Sequence, residues 1–284
     1  MIRLAILIVG IAAILLAAMQ VWRLSDRWKA GAVWRQLAAF AGTDAPRFDP
    51  VMLAGLPDPA IRYFTYTIRP GTKLASVATI TMRGDFALGD RQAPNYLPMQ
   101  ARQILAPPNG FVWIMSAGKG LMRVSGSDGG AGAQSWTRFW ALGTLPVART
   151  GQSADHARST FARMAAEALI WTPAALLPGP GVNWQSLDQD RAIVTLSHGG
   201  FVQAVEITVN AAGQPVQVRM DRWSDANADK TYREQPFGAT LSEFRDFGGY
   251  RLATRIDAGN FFGTDDYFPF FRAEVTDTRF AGGD

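Results

Sequence analysis

The sequence predicts a mainly β, α+β fold: a curved antiparallel sheet or half-barrel of about ten strands with a two-helix insertion, preceded by an N-terminal transmembrane helix. Three observations carry this. Residues 4–22 contain no charged side chain. Beyond residue 60, apolar residues recur mainly at every second position between glycine and proline turns, the period of a half-buried strand. Around residues 132–175 the spacing changes to three and four, the period of a helix face.

The leader comes first. Within residues 4–22 the only strongly polar side chain is Gln20. At ~1.5 Å rise per residue the run reaches ~28 Å, close to the ~30 Å hydrocarbon core of a bilayer, and a helix satisfies its own backbone hydrogen bonds there. Residues 1–22 are therefore read as a single-pass membrane anchor. The competing reading is a cleaved secretory signal, for which Arg3 supplies a basic start. Leu16, Ala17 and Ala18 give no small-x-small cleavage pattern, and Ala30-Gly31-Ala32 lies beyond Arg23, Arg27 and Lys29. Residues 23–49 read as a helical juxtamembrane connector whose helix covers 24–41 and stops at Gly42. Its Trp28, Trp34 and Phe40 suit a bilayer interface or packing against the body.

Charge follows the same division. The net charge of +4 resides in the first 35 residues, where Arg3, Arg23, Arg27, Lys29 and Arg35 oppose Asp26. The other 23 basic residues meet 23 acidic ones, so the body lacks the uncompensated basic surface that nucleic-acid binding requires. Basic residues beside a spanning helix suit anionic lipid head groups. A literal positive-inside count leaves the body in the cytoplasm, whereas its β-rich pattern resembles exported proteins; a periplasmic body is the favoured reading. With no cysteine, disulfides, thiolate chemistry and four-cysteine zinc sites are excluded.

Residues 50–284 form the expected β-rich globular domain. Strands are expected at 61–68, 76–86, 100–105, 111–116 and 121–125, helices at 135–142 and 153–171, with Ser153 as N-cap and Pro173 closing the second. After Gly179-Pro180-Gly181 the strands return at 192–197 and 201–209, joined by a Gly199-Gly200 hairpin. Val216, Val218 and Met220 alternate with Gln217, Arg219 and Asp221 in the next strand, after the Asn210-Ala211-Ala212-Gly213 turn. Strands at 241–247, 250–256 and 271–278 complete the series, and the short connections favour antiparallel neighbours.

A ten-strand sheet twists and develops a concave side that the central helices can fill. In element order this resembles the lipoprotein-carrier half-barrel (LolA/LolB-like), which implies a concave apolar face for acyl chains. A second resemblance rests on blocks in sequence: Leu56-Pro57-x-Pro59 with Arg62-Tyr63, Met82-Arg83-Gly84-Asp85-Phe86, Tyr96-Leu97-Pro98-Met99-Gln100-Ala101, Gly110-Phe111-Val112-Trp113, Ala166-Glu167 with Trp171-x-Pro173, and Asn183-Trp184. Together they resemble an uncharacterised bacterial family of unknown function over most of residues 50–280. That family implies no reaction, ligand or catalytic residue.

Enzyme motifs are absent from the sequence: no Gly-x-Ser-x-Gly, P-loop, His-Glu-x-x-His or dinucleotide fingerprint occurs. Two histidines do not make a multi-histidine metal centre, and no metal or cofactor is expected. His198 sits beside a glycine turn and reads as a solvated loop residue. Asp225-x-Asn227-x-Asp229 imitates the start of a calcium loop, but Lys230 replaces its glycine and Pro236 its final glutamate, so it reads as a polar hairpin tip. Ser125-Gly126-Ser127-Asp128-Gly129-Gly130 reads as a flexible connection.

His156, Thr160, Arg163 and Glu167 follow one another at helical spacing and share a stripe opposite Phe161, Met164, Ala165 and Leu169. The ordinary reading is a solvent-facing polar side. Turned inward, Glu167, Arg163 and His156 are the candidates for head-group binding or acid–base work. Trp113, Met115, Trp136, Trp140, Met164, Trp171 and Trp184 are the candidate ligand-binding residues, since aromatic and Met side chains line adaptable apolar cavities as readily as they pack cores. The leading expectation is a membrane-anchored domain that binds a lipid or other hydrophobic ligand. The rivals are an envelope enzyme using the polar stripe and a scaffold for a membrane partner.

Overall fold

The computed structural model describes residues 1–42 and 45–281; positions 43–44 and 282–284, at the ends of the expected connector and body, lie outside the described residues. A helix α1 (Ile2–Ala38) leads into α2 (Asp58–Thr67), six strands, the helix α3 (Ala154–Trp171) and seven further strands. The first six strands are β1 (Ala78–Ala87), β2 (Tyr96–Ala106), β3 (Gly110–Ala117), β4 (Val124–Ala131), β5 (Gln134–Ala141) and β6 (Leu145–Gly151). The second set comprises β7 (Val182–Ser186), β8 (Arg191–His198), β9 (Phe201–Val209), β10 (Pro215–Ser224), β11 (Arg233–Phe247), β12 (Tyr250–Asn260) and β13 (Phe268–Phe280).

All thirteen strands join one antiparallel sheet in the order β6-β5-β4-β3-β2-β1-β13-β12-β11-β10-β9-β8-β7. It is two meanders stitched where the first strand meets the last, with Phe86 opposite Phe271. The two outer strands, β6 and β7, are consecutive in sequence, so the segment between them must travel from one end of the sheet to the other. α3 makes that crossing and contacts β9, β10, β12, β4 and β5. An open curved sheet around one diagonal helix is the result.

Several expected elements are corrected. The segment expected as a strand at 61–68 is helical up to Thr67: its β-branched and aromatic composition suggested a strand, but within α2 Ala60, Tyr63, Phe64 and Thr67 are buried at helical spacing. Residues 121–122 lie in a short 3-10 turn, Gly120–Met122, and β4 runs from Val124 through the supposed flexible connection. The expected helix at 135–142 is β5, so the two-helix insertion at 132–175 contains one α-helix, followed by a 3-10 turn at Pro173–Leu176. β5 misled because it is covered on both sides: Phe139 enters the main core, whereas Trp136 and Trp140 face α1. Apolar residues at 136, 139 and 140 then imitate a helix. Other expectations are met in detail: Ser153 caps α3 by accepting the His156 N–H at 3.1 Å, and Gly199 and Gly200, at φ 58° and 85°, turn β8 into β9; β6 and β7 were not expected.

α1 is one continuous helix, without a break between anchor and connector. Residues 1–18 are exposed, and residues 2–38 include a window apolar enough to cross a membrane. Its second half lies on the opposite sheet face from α3, where Ala30 and Leu37 bury against Ile104, Val112 and Trp136. Asp26 fixes the docking. Its carboxylate accepts hydrogen bonds from Arg149 at 2.6 and 3.1 Å and from Trp140 Nε1 at 3.1 Å, with Arg138 Nε at 3.7 Å. Trp22 meets the edge of Trp140, and Arg149 covers the Trp22 ring at 4.2 Å. Asp26→Ala is expected to cost about 2 kcal/mol, the range for charge-assisted hydrogen bonds whose cations can still reach water. Hydrogen exchange should quicken in residues 23–38 while the central strands stay protected.

Candidate functional site

The sheet's inner face is apolar because alternate residues of many strands point the same way. Trp113 on β3 stands beside Asp128 on β4, which stands beside Thr137 on β5; Val218, Met220 and Arg222 continue one register along β10. α3 passes over this face but does not fill it. A cavity of about 220 Å3 remains, walled by Phe86, Trp113, Phe139, Trp171, Phe237 and Phe271, among others. Ala166 faces it from α3 and Ala239 from β11.

Polar groups gather on its wall. Arg163, 17 % exposed, donates Nη1 to Asp128 at 2.7 Å and Nε to Glu167 at 2.7 Å, and lies over the rings of Phe111 and Trp113 at 4.7 and 5.2 Å. Gln103 donates to the other Glu167 oxygen, and Thr137 donates to Asp128 at 2.9 Å. Burial alone would push the Arg163 guanidinium down, but Glu167 and Asp128 more than offset it and leave it above its ordinary value. Gly130 permits this closeness of helix and sheet: a Cβ there would come within 2.8 Å of Thr160 Cγ2 on α3.

Arg222 differs from Arg163. Among the described residues it has no ion-pair partner; Nε reaches only the Ser159 carbonyl, at 3.4 Å, and the guanidinium lies 5.1 Å from the Phe237 ring centre. Burial and then the neighbouring Arg163 cation push it down to about 10, so it stays charged at neutral pH. The cavity is thus an apolar slot with two guanidiniums in its wall, Arg163 paired to two carboxylates and Arg222 without an ion pair among the described residues.

The residues singled out from sequence divide in their positions. Arg163 and Glu167 line the cavity, as do Trp113 and Trp171. His156 stands outside the lining, its Nδ1 2.8 Å from Ser135 Oγ and its Nε2 3.2 Å from Thr137 Oγ1; burial depresses its imidazole below the ordinary value. The polar stripe therefore packs on β4 and β5, correcting its reading as a solvated face. Met115 and Met164 belong to the main core. Trp184 packs there too, donating to the Leu176 carbonyl at 2.9 Å, with Tyr63 and Phe64 beside it. Trp136 and Trp140 serve the α1 contact on the other side of the sheet. Asp128, Arg222 and the phenylalanines of the wall were not anticipated. For Arg222 the signal was present, because it continues the inward register of Val218 and Met220.

Fold and site together define the class: an open antiparallel half-barrel wrapped round a helix, with an apolar interior cavity and a long N-terminal helix whose second half lies on its outer face. The chain belongs to the Family of unknown function (DUF6544), whose model matches residues 46–273. None of the curated proteins matches it. Among solved structures it is similar to a domain assigned to outer-membrane lipoprotein sorting from Vibrio parahaemolyticus, at 10% identity and TM-score 0.38, covering 73% of this chain and 86% of that one. It is also similar to a LolA superfamily protein from Nitrosomonas europaea, at 9% identity and TM-score 0.39, covering 78% and 91%.

Proposed function

We propose that the protein is a membrane-anchored binder of an amphiphile, its single apolar chain held between the sheet and α3 and its anionic or strongly accepting group held at Arg222. One observation carries the reading: an aromatic-walled cavity whose wall includes a half-buried cation that, among the described residues, makes no ion pair. Asp128 and Glu167 act on Arg222 only from a distance and do not offset its desolvation; a poorly compensated charge of this kind is costly and persists where a ligand supplies a closer counter-charge. The cavity, about 220 Å3, falls just below the ~300–1,000 Å3 usual for small-molecule pockets, which suits one narrow chain. The leader, read as an uncleaved anchor, keeps that cavity beside a supply of such molecules.

Catalysis by Glu167 with Arg163 and His156 has less support. Both Glu167 oxygens are occupied, one by Arg163 and one by Gln103, and His156 is engaged by hydroxyls outside the cavity.

Native mass spectrometry of the detergent-extracted chain is expected to find an added mass matching an amphiphile. Ala166→Phe, which fills the cavity from α3, should lower its occupancy at least tenfold while costing only about 1–3 kcal/mol of stability, the range for overpacking. An unliganded wild type, or equal occupancy in the folded variant, would refute the reading.

A further inference from the structure

A cluster of exposed apolar side chains lies where α1 first touches the body. Gln20 Nε2 donates to the Gly143 carbonyl at 3.0 Å and to Thr144 Oγ1 at 3.1 Å, both at the tip of the β5–β6 hairpin. Around that tip Leu142, Leu145 and Val147 are 47, 57 and 56 % exposed. The Leu142 N–H binds the Arg123 carbonyl, which brings the 3-10 turn Gly120–Met122 alongside; its Leu121 and Met122 are 85 and 63 % exposed. Single exposed leucines are ordinary on any protein, but five large apolar side chains on two adjoining turns form a patch.

Helix length fixes what faces this patch. From Ile2 to Gln20, at ~1.5 Å per residue, α1 advances ~28 Å, about the thickness of the hydrocarbon core. Gln20 therefore marks the level at which a spanning α1 leaves the acyl region, and its hydrogen bonds hold the hairpin tip at that level. Lys119 and Arg123 flank the turn and Arg23 reaches Ser125, placing cations where anionic head groups would lie. Among the described residues, no further strand pairs with the outer side of the edge strand β6.

We propose that the β5–β6 tip and the Gly120–Met122 turn form a second membrane contact, pressing Leu121, Met122, Leu142, Leu145 and Val147 into the head-group and upper acyl layer beside the anchor. This rests on the reading of the leader as an uncleaved anchor. The contact turns a tether into a fixed pose, because α1 is clamped to the sheet at Asp26 and the hairpin holds the body down beside it.

The cysteine-free chain permits a direct test. Leu145→Cys, Leu121→Cys, Leu15→Cys and Val202→Cys, each labelled with a polarity-sensitive fluorophore, are placed in full-length protein reconstituted into phosphatidylcholine–phosphatidylglycerol vesicles. Nitroxide-labelled lipids then report depth. The expected result is at least twofold quenching of positions 145 and 121 by a shallow nitroxide, quenching of 15 by a deep one, and none at 202, which is exposed on β9 near the other end of the sheet. Quenching at 15 with none at 145 or 121 overturns the second contact. So does a blue-shifted but unquenched signal at 145, which assigns the patch to a protein partner or a second copy. No quenching at 15 overturns the anchor reading and this inference with it.

Discussion

Arg163→Met is expected to destabilise the protein by about 3–5 kcal/mol, because it strands two carboxylates in the wall of an apolar cavity. In the wild type a single guanidinium serves Asp128 on β4 and Glu167 one turn further along α3, both at 2.7 Å, and covers Phe111 and Trp113. Methionine matches most of the volume but supplies no donor. Glu167 keeps Gln103, and Asp128 keeps Thr137, but the cation that remains in the wall, Arg222, acts on them only from a distance and forms an ion pair with neither. For a body of this size such a loss lowers Tm by roughly 10 °C, measurable by calorimetry of the detergent-solubilised chain. Arg163→Lys restores charge but not the fork that reaches two acids at once, so it should recover only part of the deficit. The triple variant Arg163→Met, Asp128→Asn, Glu167→Gln should recover more than the lysine variant, since it removes the stranded charges. A Tm unchanged by Arg163→Met would mean that the triad holds nothing together.

How much of this was legible in the sequence depends on how many faces of each strand are covered. β8 to β10 lie at one end of the sheet with one face in water, so their alternation and the Gly199-Gly200 turn were readable residue by residue. β5 is sandwiched between the core and α1, its polar outward positions are lost, and its pattern collapsed into a false helix. β4 hid for a different reason: glycines at 126, 129 and 130 read as a loop, whereas a Cβ at each would strike neighbouring backbone or α3. The inward stripe of Arg163 and Glu167 was visible as a stripe, but its direction was not, since helical spacing fixes a face without saying what it meets. Trp113 and Trp171 reached the cavity while Trp136 and Trp140 reached α1 for the same reason: composition marks a tryptophan for burial, and only the pairing of β1 with β13, nearly two hundred positions apart, decides which side of the sheet encloses the space.

Arg222→Met should separate the cost of the site from its use. The wild-type cation is held down at about 10, well below the ordinary guanidinium value, so charging it destabilises the folded state wherever that charge is present. Below pH 10 both folded and unfolded chains are protonated and the penalty is complete; above pH 10 the folded chain releases the proton before the unfolded one, so stability recovers as pH rises. Methionine removes the penalty and extends the apolar wall beside Phe237. At pH 7 the unliganded variant is therefore expected to be more stable than the wild type by about 1–3 kcal/mol, the gain typical of replacing a poorly compensated buried charge with a packed apolar side chain. The same change should weaken retention of an anionic amphiphile about a hundredfold, as loss of a buried charge partner does, read as lost adduct in native mass spectra. A residue that only supported the fold would lose stability when replaced. A gain in stability coupled to loss of ligand is the signature of a group kept for binding, and a destabilised variant that still retains its amphiphile would remove Arg222 from the site.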